Sequence, residues 1–162
     1  MKIVFRPNYT RFDNLRFFEA IEKMEHTLYK AQSIDWAAPA FTDCITAVRW
    51  ILWQSTDYIL PHAYIWDIAG VLLLKENCTI FPISQAKEGD LIFFEQFSKT
   101  HNAYMINHIG IITSWIEFFH SSKKFNWSIS NITNDIFYNH ILSDSFLSIA
   151  KDPRNRKITN HS

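Results

Sequence analysis

Apolar residues recur at helical spacing through the first half of the chain. The first run lies at intervals of three or four positions: Leu15, Phe18, Ile21, Met24 and Leu28. This spacing predicts a helix with one apolar face, capped by Asp13 and ending near Ala31. A second helix is predicted from Thr42 or Asp43, with a buried stripe formed by Ala47, Val48, Ile51 and Leu52. A third, weaker helix is predicted over residues 62–74.

After residue 86 the pattern changes to short apolar runs and alternation. The segment KEGD at 87–90 is typical of a turn, and LIFF at 91–94 is typical of a buried strand. Four more strands are predicted, at residues 107–113, 115–120, 127–132 and 145–150. Helices followed by strands indicate an α+β fold in which N-terminal helices pack on an antiparallel sheet. The domain is expected to cover residues 1–152, with a polar C-terminal tail at 153–162.

Length and charge narrow the class of protein. The chain has 162 residues, 48% hydrophobic and 20% charged, as expected for one globular domain. Its 16 basic and 16 acidic residues balance, so nucleic acid is not an expected partner. No apolar run approaches the roughly 20 residues of a membrane span, and charged residues interrupt the start of the chain. Neither a membrane segment nor a signal peptide is therefore expected, and a cytoplasmic location, or export by a non-classical route, is predicted.

The chain has two cysteines, Cys44 and Cys78, which are interpreted as separate thiols because two cysteines do not make a disulfide framework. Cys44 lies in the first turn of the predicted second helix. The helix dipole stabilises a thiolate there and lowers its pKa, so Cys44 is a candidate nucleophile. The alternative is a buried structural thiol. That alternative is favoured for Cys78, which lies in a turn-like segment without such a helix.

Two histidines are predicted to meet on one face of a β-hairpin. The strands at 107–113 and 115–120 are close in sequence and are expected to pair antiparallel. A hairpin centred on Ser114 places His108 opposite His120, with Cβ atoms about 4.5–5.5 Å apart, and Gly110 is expected to leave open space beside them. The alternatives are half-exposed strand histidines or two metal ligands. A zinc site normally needs three or four ligands, and no HExxH or CxxC pattern appears, so no metal or cofactor is expected.

A thiol at a helix start, a histidine and a second polar group beside it are the components of an activated nucleophile. Their order along the chain is the papain-like order. Four segments in succession resemble motifs of the NlpC-type cysteine peptidases, which trim bacterial cell-wall peptides. They are TDCITAVRWIL (42–52), EGDLIFF (88–94), HIGIIT (108–113) and IEFFHSS (116–122).

The resemblance implies a papain-like fold and amide hydrolysis through a thioester, without a cofactor. It implies that Cys44 is the nucleophile and contributes a backbone N–H to the oxyanion hole. His108 would be the base and later the acid that protonates the leaving amine, and His120 would orient His108. The usual substrate of the family is the peptidoglycan stem peptide, often at the γ-D-glutamyl bond to the diamino acid. Residues expected to bind substrate are Asp43, Trp36 and Tyr64.

The chain departs from the family pattern at two places. The Ser-Gly pair that follows the nucleophile in the family is Ile45-Thr46 here, and the Tyr-x-Trp-Gly-Gly stretch is replaced by IDWAA at 34–38, where Trp36 matches. These departures bear on substrate specificity more than on chemistry. Two other functions stay open. One is a cysteine hydrolase or acyltransferase acting on lipid or protein amides, in keeping with the 16% aromatic content. The other is a non-catalytic binding module on the same fold.

Overall fold

The structure is a computed structural model that describes residues 1–61 and 76–150. The helix predicted over residues 62–74, the candidate substrate-binding residue Tyr64 and the predicted tail at 153–162 lie outside the described residues. Within them, no helix is both long enough and apolar enough to cross a membrane.

The described chain forms eight strands and four α-helices. The strands are β1 (Ile3–Pro7), β2 (Leu28–Tyr29), β3 (Phe41–Thr42), β4 (Cys78–Pro82), β5 (Leu91–Ser98), β6 (Ala103–Ser114), β7 (Glu117–Ser122) and β8 (Asn126–Asn131). The α-helices are α1 (Asn14–Met24), α2 (Cys44–Ser55), α3 (Asp135–Tyr138) and α4 (Asp144–Ala150). Two short 3₁₀ helices cover Asp35–Ala37 and Ile83–Gln85.

Six of the strands form one antiparallel sheet in the order β4-β1-β5-β6-β7-β8, and β2 and β3 form a separate parallel pair. Helices α1 and α2 contribute to the larger of two hydrophobic clusters, which includes Phe93, Ile111 and Phe119 of the sheet. The intervening side chains of the same strands, such as Phe94 and Phe118, belong to a second cluster. This division follows from strand alternation, and the predicted α+β class is confirmed.

Helix α1 is shorter than predicted and buries a different stripe. Asp13 caps it as expected, accepting a hydrogen bond from the Arg16 backbone N–H at 3.0 Å. The helix ends at Met24, and Leu28 lies in β2, where it pairs with β3. The expected face was rotated because it counted Leu15 and Phe18, which are apolar but lie outside the buried stripe. The buried residues are Phe17, Ala20, Ile21 and Met24, whereas Leu15 and Phe18 are exposed.

Helix α2 begins where the sequence predicts it. Its N-cap is Asp43, which forms a capping box with Thr46. The Thr46 backbone N–H donates to Asp43 Oδ1 at 2.8 Å, and the Asp43 backbone N–H donates to Thr46 Oγ1 at 2.9 Å. Such reciprocal bonds satisfy backbone donors that the first helical turn leaves free. The predicted stripe is confirmed, because Ala47, Val48, Ile51 and Leu52 are all fully buried.

The strand predictions hold for β5 to β8 but fail at two other places. The strand predicted at 145–150 is wrong, since these residues belong to α4. Phe146 and Leu147 are adjacent and both buried, as two neighbouring positions on one broad face of a helix can be. The turn-like segment around Cys78 is strand β4, which pairs with β1. Neither β1 nor β4 was predicted as a strand, and their pairing joins two segments that are distant in sequence.

Candidate active site

Cys44 is the first residue of α2, directly after the N-cap Asp43. Burial, followed by the charge of Asp43, raises the pKa of the Cys44 thiol to about 12. Backbone N–H groups of Ile109, Ile45 and Cys44 act in the opposite direction, as expected at a helix start. The expectation of a lowered thiol pKa was therefore wrong, because burial of the helix start and the neighbouring carboxylate outweigh the helix dipole.

The structure brings His108 and His120 into contact, with 2.7 Å between His108 Nε2 and His120 Nδ1. They are not directly opposed as predicted. The register pairs Ile111 with Phe119, and a bulge shifts the pairing before Ser114 meets Glu117. Continuing that register places His120 opposite Gly110 and puts His108 on the diagonal. Diagonal neighbours remain within reach when the side chains are long or aromatic, which explains why the two rings still touch.

Gly110 does not leave open space, contrary to the sequence prediction. A Cβ atom built on it would lie 2.8 Å from Cδ2 of Phe118 and 3.0 Å from the carbonyl oxygen of Phe119. The Phe118 ring fills the place that a side chain at position 110 would take. Phe118 in turn packs on the His120 ring, with 4.8 Å between centroids. The glycine therefore allows the close packing that positions His120.

Aromatic rings enclose the histidine pair. His120 is 2% exposed and lies between Phe118 and Phe137, whose centroid is 5.4 Å from its own. His108 packs near Phe94, at 5.5 Å. Burial, with a smaller contribution from His120, lowers the pKa of His108 to about 3, and burial lowers the pKa of His120 to about 4. At neutral pH the site therefore holds a neutral thiol and two neutral imidazoles.

A chain of hydrogen bonds extends from the histidines into β8. His120 Nε2 lies 3.1 Å from Ser130 Oγ, and Ser130 Oγ lies 2.8 Å from Ser128 Oγ. The β7–β8 register pairs His120 with Ser128 and Phe118 with Ser130, so both serines share the face of His120. Sequence reasoning missed these two residues. The signal was the alternation of serines at 128 and 130 within the strand predicted at 127–132.

Two cavities meet at Cys44. One, here called the Trp36 cavity, has a volume of about 560 Å³ and is lined by Tyr29, residues 31–36, Asp43, Cys44 and Ile45. The other, the histidine cavity, has a volume of about 540 Å³. It is lined by Tyr29, Cys44, Asn107, His108, residues 120–125, Asn134, Ile136 and Phe137. Cys44 and both histidines therefore border one space, and Cys44 also borders a second.

The residues predicted to bind substrate have different positions. Trp36 is 85% exposed and lines the Trp36 cavity. Asp43 lines that cavity too but is 8% exposed, and its Oδ1 accepts hydrogen bonds from the Thr46 backbone and hydroxyl. The sequence analysis missed Tyr29, which lines both cavities. Burial, together with the charges of Cys44 and Asp43, raises the pKa of the Tyr29 hydroxyl.

The metal-ligand alternative for the histidines can be tested against their surroundings. Within residues 1–61 and 76–150, no group of three or more histidine, cysteine, aspartate or glutamate side chains is placed to hold a metal ion. The described partners of His120 are instead an imidazole and a hydroxyl.

A known protein family and several solved structures resemble this chain. The model of the NlpC/P60 family matches residues 31–145. A lipoprotein-like protein of the NLP/P60 family from Staphylococcus aureus subsp. aureus Mu50 has a similar structure, with a TM-score of 0.60 and 16% identity, covering 84% of this chain and 42% of that one. The NlpC/p60 domain of the peptidoglycan hydrolase SagA has a TM-score of 0.51 and 19% identity, covering 74% and 90%.

These findings bear on the fold and on the extent of the chain. The chain spans less than half the length of the staphylococcal protein. No curated protein matches its sequence. At such low identities the structural likeness concerns the fold alone, and it confirms the predicted papain-like architecture, with the helix that bears Cys44 beside an antiparallel sheet.

Proposed function

Because this chain belongs to the NlpC/P60 family, we propose that it is a cysteine peptidase or amidase that hydrolyses amide bonds in peptidoglycan stem peptides. The observation that carries the proposal is the histidine cavity, where Cys44 borders the same space as the contacting pair His108 and His120. The similar domain of SagA belongs to a peptidoglycan hydrolase, which supports the choice of substrate.

The hydrogen bond between the histidines assigns a role to each nitrogen of His108. Its Nε2 is occupied by His120 Nδ1, so Nδ1 is the atom that can accept a proton from Cys44. For Nδ1 to be free, Nε2 must carry the hydrogen and donate it to His120. His120 then carries its own hydrogen on Nε2 and donates to Ser130. In this tautomer His108 is a neutral base oriented by His120.

The proposed reaction begins from neutral groups. As the Cys44 sulfur attacks the substrate carbonyl, His108 takes the thiol proton, and the C–S bond forms. His108 then returns that proton to the leaving amine as the C–N bond breaks, which leaves an acyl thioester on Cys44. Water, deprotonated by His108, hydrolyses the thioester and restores the thiol. The backbone N–H of Cys44 at the helix start stabilises the negative charge on the carbonyl oxygen.

The test is digestion of purified muropeptides, followed by mass spectrometry of the products. Cys44→Ala is expected to lower the rate by a factor on the order of 10³ or more, as removal of a nucleophile does. Cys78→Ala is the matched control, since Cys78 is buried on β4 and lines neither cavity at Cys44. Muropeptide cleavage that survives in Cys44→Ala would contradict the proposal.

A second candidate function is hydrolysis or acyl transfer on amides that carry apolar groups. The observation in its favour is the exposure of large apolar side chains beside Cys44: Trp36 at 85% on one cavity, and Phe125 at 52% and Ile136 at 72% on the other. Acylation of Cys44 by a long-chain thioester, in a protein that leaves muropeptides intact, would favour this function. Binding of muropeptides by wild-type protein without any turnover would instead favour a non-catalytic module.

A further inference from the structure

The loop of the β7–β8 hairpin borders the histidine cavity and consists of Lys123, Lys124 and Phe125. Ser122 pairs with Asn126 across its base. Asn126 has a φ of 62°, the left-handed conformation that closes three-residue hairpin loops. Its Oδ1 accepts a hydrogen bond from the Tyr29 backbone N–H at 3.1 Å. The loop is therefore held against β2, whose Tyr29 lines both cavities.

The two lysines give this cavity a positive rim. Neither ammonium group takes part in an ion pair within the described residues, and Nζ of Lys124 lies 5.1 Å from the Phe125 ring centroid. No carboxylate is among the described residues that line the histidine cavity. Among the described lining residues, an anion entering the cavity would therefore meet two unpaired cations and no like charge.

The Trp36 cavity has the opposite character. It contains Asp43, whose charge raises the pKa of the Cys44 thiol, and Asp35, which forms an ion pair with Arg49 at 3.0 Å. No lysine or arginine is among its described lining residues. The two cavities that meet at Cys44 therefore differ in sign.

The chemistry of the proposed reaction decides which part of the substrate lies in which cavity. The leaving amine must receive its proton from His108, and His108 lines the histidine cavity but not the Trp36 cavity. A general acid must lie within hydrogen-bond reach of the atom that it protonates. The leaving amine therefore occupies the histidine cavity, and the acyl group that stays on Cys44 occupies the Trp36 cavity.

We propose that Lys123 and Lys124 bind a carboxylate carried by the leaving amine. The substrate is then an amide whose leaving group is an amino acid, or a short peptide, with a free carboxylate near the cleaved bond. This inference rests on the proposed function, because it takes the direction of cleavage from the proton transfer by His108. The carboxylate takes no part in the covalent steps, in which the C–N bond is exchanged for a C–S bond.

The experiment compares L-alanyl-γ-D-glutamyl-L-lysine with the same tripeptide bearing a C-terminal carboxamide. The two differ only in the charge of the leaving group's carboxyl. Calorimetry on Cys44→Ala measures binding without turnover, and kcat/KM is measured on the otherwise wild-type chain. The free acid is expected to bind more tightly. Lys123→Gln and Lys124→Gln are each expected to reduce that preference by about 2- to 5-fold, the range for partly exposed charge pairs, and raised ionic strength is expected to reduce it further.

Lys99→Gln is the matched control, because Lys99 lies exposed between β5 and β6 and does not line this cavity. The lysine site would be overturned if Cys44→Ala bound the two tripeptides equally or did not bind the free acid. It would also be overturned if Lys99→Gln lost the preference for the free acid as much as the two loop variants do. A preference that depends on Lys123 and Lys124, in a protein that hydrolyses neither tripeptide nor muropeptides, would support the site and sink the peptidase proposal. Hydrolysis without any preference for the free acid would support the peptidase proposal and overturn the lysine site.

Discussion

Replacement of Ser130 by alanine tests whether the hydrogen-bond chain behind His108 contributes to catalysis. Ser130 Oγ is the described partner of His120 Nε2, at 3.1 Å. His120 is 2% exposed and enclosed by Phe118 and Phe137, so water has little access to the nitrogen that Ser130→Ala leaves without a partner. His120 can then move its hydrogen to Nδ1 and donate to His108 Nε2. That tautomer requires the hydrogen of His108 to be on Nδ1, where it blocks acceptance of the thiol proton.

The expected magnitude follows from the hydrogen bond that is lost. One net hydrogen bond contributes about 0.5–1.5 kcal/mol, which corresponds to a roughly 2- to 12-fold fall in kcat if it selects the productive tautomer. KM is expected to change little, because Ser130 lines neither cavity at Cys44. The buried His120 Nε2, left without a partner, is also expected to lower the free energy of unfolding by about 1–3 kcal/mol.

The assay combines steady-state cleavage of muropeptides with urea unfolding of the same samples. Ser130→Thr keeps a hydroxyl at a strand position that tolerates β-branched residues and is expected to recover most of kcat. Ser128→Ala is expected to have a smaller effect, since it leaves the bond between Ser130 and His120 in place. A wild-type kcat in Ser130→Ala, or a loss confined to KM, would refute the tautomer argument.

Three further predictions follow from the geometry. Asp43→Asn removes the charge that raises the thiol pKa, so the pH midpoint for alkylation of Cys44 by iodoacetamide should fall. An unchanged midpoint would show that burial alone governs the thiol. Gly110→Ala places a methyl group 2.8 Å from Phe118 and should reduce the urea midpoint by an amount equivalent to about 1–3 kcal/mol. Ala103→Gly at the start of β6 is its control, because it changes backbone freedom at a position outside the site. Burial holds the histidine pair at pKa values of about 3 and 4. The unfolded chain therefore binds more protons below about pH 6.5, and stability should be full above that pH and fall as the pH drops toward 4. A His108→Gln variant should lose less stability over this pH range, as measured by urea unfolding at each pH. A loss equal to that of the wild-type protein would assign the pH dependence to other groups.

Local features of the sequence were sufficient for the parts of the site that depend on near neighbours. The start of α2 was predictable because Asp43 caps the backbone within its own turn. Strand alternation, with an assumed hairpin pairing, predicted that His108 and His120 share one face, since side chains two residues apart along a strand point the same way. The family motifs then added the papain-like architecture, because they occur in order along the chain.

The tertiary structure decided what depends on residues that are distant in sequence or on burial. The hairpin turn lies at residues 115–116, between the paired Ser114 and Glu117, and the bulge between Ile112 and Ser114 then shifts the pairing by one residue. Strand alternation alone reveals neither feature. The hydroxyl of Ser130 became the partner of His120 only through the pairing of β7 with β8. Burial, together with the Asp43 charge, reversed the expected pKa shift of the Cys44 thiol. Chemical identity and local spacing are properties of the sequence, whereas solvent exposure and cross-strand neighbours exist only once the sheet and helices have packed together.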